Sequence, residues 1–185
     1  MKKSITLIFI LIFYCLALFG QTYNNPESIV YDPAHNRYLI SNKSGNTIVA
    51  RDENGTLANF VTSGLGAPKG LLIIGDTLIV VNSLEIHGYN LEDTSMIFNY
   101  PVENASFMND ATTDGNGTLY ISDTGEGKIY KMKLADGSNH TIVDGNINPN
   151  GMLFDETNNS VIFCNWESNA RIHSFNIADS SLSIL

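Results

Sequence analysis

The chain has 185 residues, 43% hydrophobic and 16% charged, with a formal net charge of −9. This composition is globular, and the length is enough for one sizeable core. The acidic balance excludes nucleic acid and anionic membranes as working partners, while leaving cations, sugars and neutral ligands open.

In chain order, the first segment stands apart from the core. Lys2 and Lys3 form a short basic head, and Ile5 to Phe19 is apolar except for Thr6 and Tyr14. That run is shorter than the roughly 20 residues a spanning helix needs, and Gly20 then leads into polar "QTYNN". The layout predicts a signal peptide over 1–20 and export to the periplasm, outer membrane or medium. Leu18 stands where a small residue is preferred before a cleavage point, so an uncleaved membrane anchor is the alternative. Removal of the leader leaves Cys164 as the one cysteine, which rules out an intramolecular disulfide and a thiolate metal site.

The remaining residues, 21–185, repeat. "YDPAHNRYLISN", "LIIGDTLIVVN", "TTDGNGTLYISD" and "LFDETNNSVIFCN" end at Asn42, Asn82, Asp123 and Asn165, spaced 40, 41 and 42 residues apart. Each holds a short strand, a turn of Gly, Asn or Asp, and a β-rich strand, which is a hairpin pattern. A second hairpin follows each one: "NTIVARDENGTLANFV", "EIHGYNLEDTSMIFNY", "GKIYKMKLADGSNHTIV" and "ARIHSFNIADSSLSIL". No segment has the length and 3.6 periodicity of an amphipathic helix. Four strands per repeat of about 41 residues predicts an all-β fold, a β-propeller with blades over 21–62, 63–103, 104–144 and 145–185. The sequence stops at the outer strand of its fourth blade without an obvious closing strand. The expectation is therefore an incomplete larger propeller, or self-association through open blade edges.

Glu27, Lys69, Asn109 and Asn150 fall at one equivalent point of "NPESIVYD", "APKGLLII", "FMNDATTD" and "NPNGMLFD". In a propeller this point converges on the channel mouth. One carboxylate and two amides suit a hard divalent cation such as Ca²⁺. Glu27, Asn109 and Asn150 can be ligands or turn residues. Lys69 can pair with Glu27 or a bound carboxylate, although a solvated lysine is expected. Asn42, Asn82, Asp123 and Asn165 form a second polar set, for which a turn-satisfying role is expected.

"PESIVYD", "NDATTDGNGTLYISD" and "PNGMLFD" resemble the senescence-marker/gluconolactonase/luciferin-regenerating propellers. The resemblance implies a six-bladed lactone hydrolase with a divalent cation, often Ca²⁺, in its channel. It implies Glu27 and Asn150 as metal ligands and Asn109 as a contact to substrate or to a metal-bound water. Lys69, which can pair with a bound carboxylate, joins Asn109 in the candidate substrate-binding set. The family's acid/base aspartate belongs to a later blade, beyond Leu185, so the catalytic residue stays unassigned. The implied function is hydrolysis of a lactone or related ester, with a lactone or sugar-like molecule as ligand. The alternative is a non-catalytic NHL-like propeller that binds a sugar, peptide or protein on its channel face.

Other signals reduce to structure. "DGNGT" at 114–118 lacks the acidic spacing of a calcium loop and sits where the other repeats place a hairpin turn. His87 and His173 occupy matching third-strand places, and no histidine has metal-ligand spacing.

Overall fold

The computed structural model describes residues 23–145 and 147–185, so the expected leader lies outside it. Each repeat forms one antiparallel sheet whose strands neighbour in chain order. Blade one holds β1 (Pro26–Asp32), β2 (Arg37–Asn42), β3 (Thr47–Asp52) and β4 (Leu57–Val61). Blade two holds β5 (Pro68–Ile74), β6 (Thr77–Asn82), β7 (Glu85–Asn90) and β8 (Met96–Pro101). Blade three holds β9 (Met108–Thr113), β10 (Thr118–Asp123), β11 (Lys128–Lys133) and β12 (Asn139–Asp144). Blade four holds β13 (Pro149–Asp155), β14 (Ser160–Asn165), β15 (Ile172–Asn176) and β16 (Leu182–Ile184). A single 3₁₀ turn, Lys43–Gly45, is the one helical element among the described residues, and no helix there is long and apolar enough to cross a membrane.

The innermost strands stand side by side: β1 packs on β5, β5 on β9 and β9 on β13. The result is the four-bladed β-propeller that the 41-residue period predicts. The hairpin tips show why the repeats turn where they do. Asn36, Gly117 and Asn159 each take a positive φ immediately before a second strand, a conformation that Gly and Asn accept best.

Three apolar clusters fill the three seams between blades. Leu39, Ile48, Phe60 and Val61 of blade one meet Leu71, Leu78 and Val80 of blade two. Ile79 and Val81 point the other way, onto Met108, Ala111, Leu119 and Ile121 of blade three. Tyr120, Ile129 and Val143 then meet Val161, Phe163 and Phe175 of blade four. A second strand covered on both faces therefore reads as a continuous apolar run, as "LIVV" at 78–81 does. Each such side chain contributes about 1.5–3 kcal/mol by leaving water. The outward faces of the end blades lack that cover. Ile29 is 60% exposed where its register equivalent Leu71 is 7% exposed, and Leu153 of blade four is 63% exposed.

A polar clasp reinforces the first seam. Arg37 donates from Nε to Asp32 Oδ2 at 2.9 Å and from Nη2 to the Leu91 carbonyl at 2.5 Å, with its guanidinium over the Phe60 ring. His35 sits between Asp32 at 2.8 Å and Glu92 of blade two at 2.9 Å. Those two carboxylates, Glu92 first, raise the His35 pKa above its ordinary 6.5. The stability this histidine supplies is fully present below pH 6.5 and is lost as pH rises through its elevated folded value. Thermal midpoints of the wild type should fall across that upper window, and His35→Gln should flatten the dependence.

The inner strands approach closest at Gly70. A Cβ there would stand 2.7 Å from the Asp110 Cα on β9, a backbone atom that cannot swing away. Gly70→Ala should therefore cost about 1–3 kcal/mol as overpacking, read as a lower unfolding midpoint in urea.

Candidate functional site

The site is built from a defect repeated four times. In every blade the pairing of first and second strands slips by one residue. The slips fall between Pro26 and Ile29, Pro68 and Leu71, Met108 and Ala111, and Pro149 and Met152. Two inner-strand residues thus oppose one residue of the second strand, a β-bulge that re-aims the first of the pair. Those first residues are Glu27, Lys69, Asn109 and Asn150. They lie within the strands rather than just before them, because the ladder continues through the bulge. The bulges are stapled from the second strand. Ser41 Oγ accepts from Ser28 N and Ser122 Oγ from Asp110 N, both at 2.9 Å, and Cys164 Sγ faces the Gly151 carbonyl at 3.6 Å.

The residues that close the second strands are internal supports. Asn42 Oδ1 accepts from Asn24 N at 3.2 Å, and Asn82 Oδ1 from Gly66 N at 2.7 Å. The Asp123 carboxylate accepts from the N–H groups of Ser106, Phe107, Gly125 and Glu126 at 2.7–3.1 Å. Asn165 Oδ1 accepts from Arg171 N at 2.6 Å. All four are buried, so the set expected to satisfy turns does so. His87 and His173 are likewise buried in blades two and four, the latter stacked on Phe163. The 114–118 segment is a turn in which Asp114 Oδ1 accepts from Asn116 N and Thr118 N.

Glu27, Asn109 and Asn150 line one cavity of about 400 Å³ at the channel mouth. Lys69 is not in that lining, and the solvated lysine expected from sequence is corrected here: it is 2% exposed. Its Nζ donates to the Met108 carbonyl at 2.7 Å and lies 4.3 Å from the centre of the Phe107 ring. Burial, and then the Lys43 ammonium, hold its pKa below the usual lysine range.

Three lining residues were not singled out in the sequence: Phe107, Lys43 and Trp166. Lys43 and Trp166 each follow the residue that closes a second strand. Ser83 and Thr124 occupy the same place in the other two blades, and they spend their hydroxyls on the Gly66 and Pro149 carbonyls. Aligning the repeats one residue further would have exposed this second ring as Lys, Ser, Thr and Trp. Lys43 Nζ stands 3.8 Å from Glu27 Oε2, and Trp166 is 68% exposed. A second cavity of about 310 Å³ shares Glu27 with the first and is otherwise lined by Tyr23, Pro26, Ser28, Ile29 and Ile40 of blade one.

The donors fit a resident divalent cation poorly. Their oxygens are the right kind for Ca²⁺, which takes 6–8 of them. Only one is charged, however, and that carboxylate already faces the Lys43 ammonium. No group of three His, Cys, Asp or Glu able to hold a metal exists among the described residues.

No known family profile matches this sequence, and no curated protein matches it. Solved structures do. A chain of a nidogen/laminin complex is similar over 88% of this chain and 65% of its own, with 17% identity and a TM-score of 0.77. A streptogramin B lyase covers 90% of this chain and 56% of its own, at 15% identity and 0.73. A gluconolactonase from Xanthomonas campestris covers 88% and 62%, at 16% identity and 0.71. What they share with this chain is the β-propeller fold. The chain spans less than two thirds of the length of each.

Beneath the mouth, Asp110 occupies the second bulge place of blade three. Its Oδ2 accepts from Met152 N of blade four at 3.0 Å, and Gly70 and Gly151 flank the carboxylate. Burial raises its pKa above the ordinary 3.8. Its stabilising contribution is present below pH 3.8 and lost as pH rises through the elevated folded value, so at neutral pH the ionised group opposes folding. Asp110→Asn keeps an acceptor for Met152 N and removes the charge. Its melting temperature should exceed that of the wild type at pH 7, with the gap narrowing as pH falls toward 4.

Proposed function

We propose that this propeller binds a small hydroxyl-rich ligand, sugar-like or lactone-like, at its channel mouth. The observation that carries the reading is one cavity in which the exposed indole of Trp166 stands with Glu27, Asn109 and Asn150. An aromatic face covers the C–H surface of a sugar ring, while a carboxylate and primary amides take its hydroxyls as donors and acceptors. The resemblance to gluconolactonase-type propellers supports the same class, since Glu27, Asn109 and Asn150 sit at one bulge position of three blades. Export is proposed with it, from the leader-like composition of residues 1–20.

Cation-assisted lactone hydrolysis is the second reading, favoured by the convergence of three side-chain oxygens on that cavity. The charge balance opposes it, and no described residue of the cavity is free to serve as both cation ligand and base.

Calorimetric titration with D-glucose and D-glucono-1,5-lactone tests both readings. Saturable binding should appear and weaken about tenfold in Trp166→Ala, the size expected for losing one well-placed aromatic contact. A folded chain that binds neither compound would sink the proposal. Lactone opening that CaCl₂ accelerates, and that Glu27→Gln abolishes, would move the second reading to first place.

A further inference from the structure

The charge inventory of the mouth points beyond a neutral ligand. Two ammonium groups flank the Phe107 ring, Lys69 at 4.3 Å and Lys43 at 5.5 Å from its centre. One carboxylate, Glu27, answers them, and it lies a loose 3.8 Å from Lys43 with both side chains partly exposed. Lys69 has no carboxylate within 4.0 Å among the described residues, and its three N–H donors meet one carbonyl and an aromatic face. The strong local anion, Asp123, is used up by four backbone N–H groups. The mouth thus holds a basic spot on a chain whose net charge is −9.

The repeats show that Lys43 is not a support. At the same place Ser83 bonds the loop that enters its own blade and Thr124 bonds Pro149 at the start of the next blade's inner strand, whereas Lys43 and Trp166 face the cavity. Two of four equivalent positions have been released from holding the fold, and they bring an ammonium and an indole to one space.

We infer that the mouth recognises a hydroxylated carboxylate, a sugar acid, with Lys43 taking the carboxylate, Trp166 the ring face, and Glu27, Asn109 and Asn150 the hydroxyls. This rests on the proposed ligand-binding role of the same cavity. A bound carboxylate competes with Glu27 for Lys43 and frees Glu27 to accept ligand hydroxyls. A dication at the same place meets both ammoniums instead, so the cation implied by the resemblance is replaced here by an anion.

The test is calorimetric titration of the whole chain with D-glucuronate, D-gluconate, D-glucose and CaCl₂, with circular dichroism confirming the fold of each variant. At least one acid should bind about tenfold or more tightly than glucose, the size of one charge-assisted hydrogen bond. Lys43→Met should erase that advantage, while Lys43→Arg should retain it. Trp166→Ala should weaken acid and glucose alike. Acids that bind no better than glucose, or an advantage that survives Lys43→Met, would overturn the inference and leave the sugar-binding role standing. Stoichiometric Ca²⁺ binding lost in Glu27→Gln would overturn it in favour of the cation. Failure of all three sugars to bind would overturn both this inference and the role beneath it.

Discussion

Asn42, Asn82, Asp123 and Asn165 end the four second strands, and each is a buried side chain that turns an oxygen onto backbone N–H groups of the adjoining loops. Everything at the channel mouth hangs from these bonds. In blades one to three they hold the segment that leads into the inner strand, which fixes where the bulge begins. The bulge then aims Glu27, Asn109 and Asn150 into one cavity. The Asp123 carboxylate alone accepts from four N–H groups, so blade three carries the most heavily braced entry.

Packing acts at right angles to this polar frame. The apolar seams hold blade to blade, while side chains such as Ser28, Asp110 and Thr112 cross between inner strands to bond Leu71, Met152 and Phe154. Glycine at 70 and 151 leaves room for Asp110 between them. The channel floor is therefore polar and tightly fitted at once, and a charge is tolerated there at a cost to stability.

The fold was legible because its signal is periodic. Strand-closing Asn or Asp recurs every 40–42 residues, and runs such as "LIVV" mark strands with both faces covered. The equivalence of Glu27, Lys69, Asn109 and Asn150 was legible for the same reason, and the register confirms that they share one bulge place. Their environments were not legible. Lys69 reads as a surface residue, yet the Phe107 ring and the Met108 carbonyl of the neighbouring blade enclose it, and nothing in its own repeat announces either. Trp166 and Lys43 were missed because single residues after a strand look like ordinary loop chemistry. Only the contrast with Ser83 and Thr124, visible once their hydroxyl bonds are seen, separates them.

The bulge has a consequence for how such a surface changes over time. Each mouth residue sits on its own blade, and the brackets that hold its backbone come from other residues, Ser41, Ser122 or the strand-closing Asn and Asp. A substitution at position 27, 109 or 150 alters what the cavity touches without rewriting the scaffold beneath it. Selectivity becomes combinatorial, one letter per blade. The same framework can exchange its mouth side chains one at a time, whereas a site drawn from one contiguous loop must reorganise as a whole.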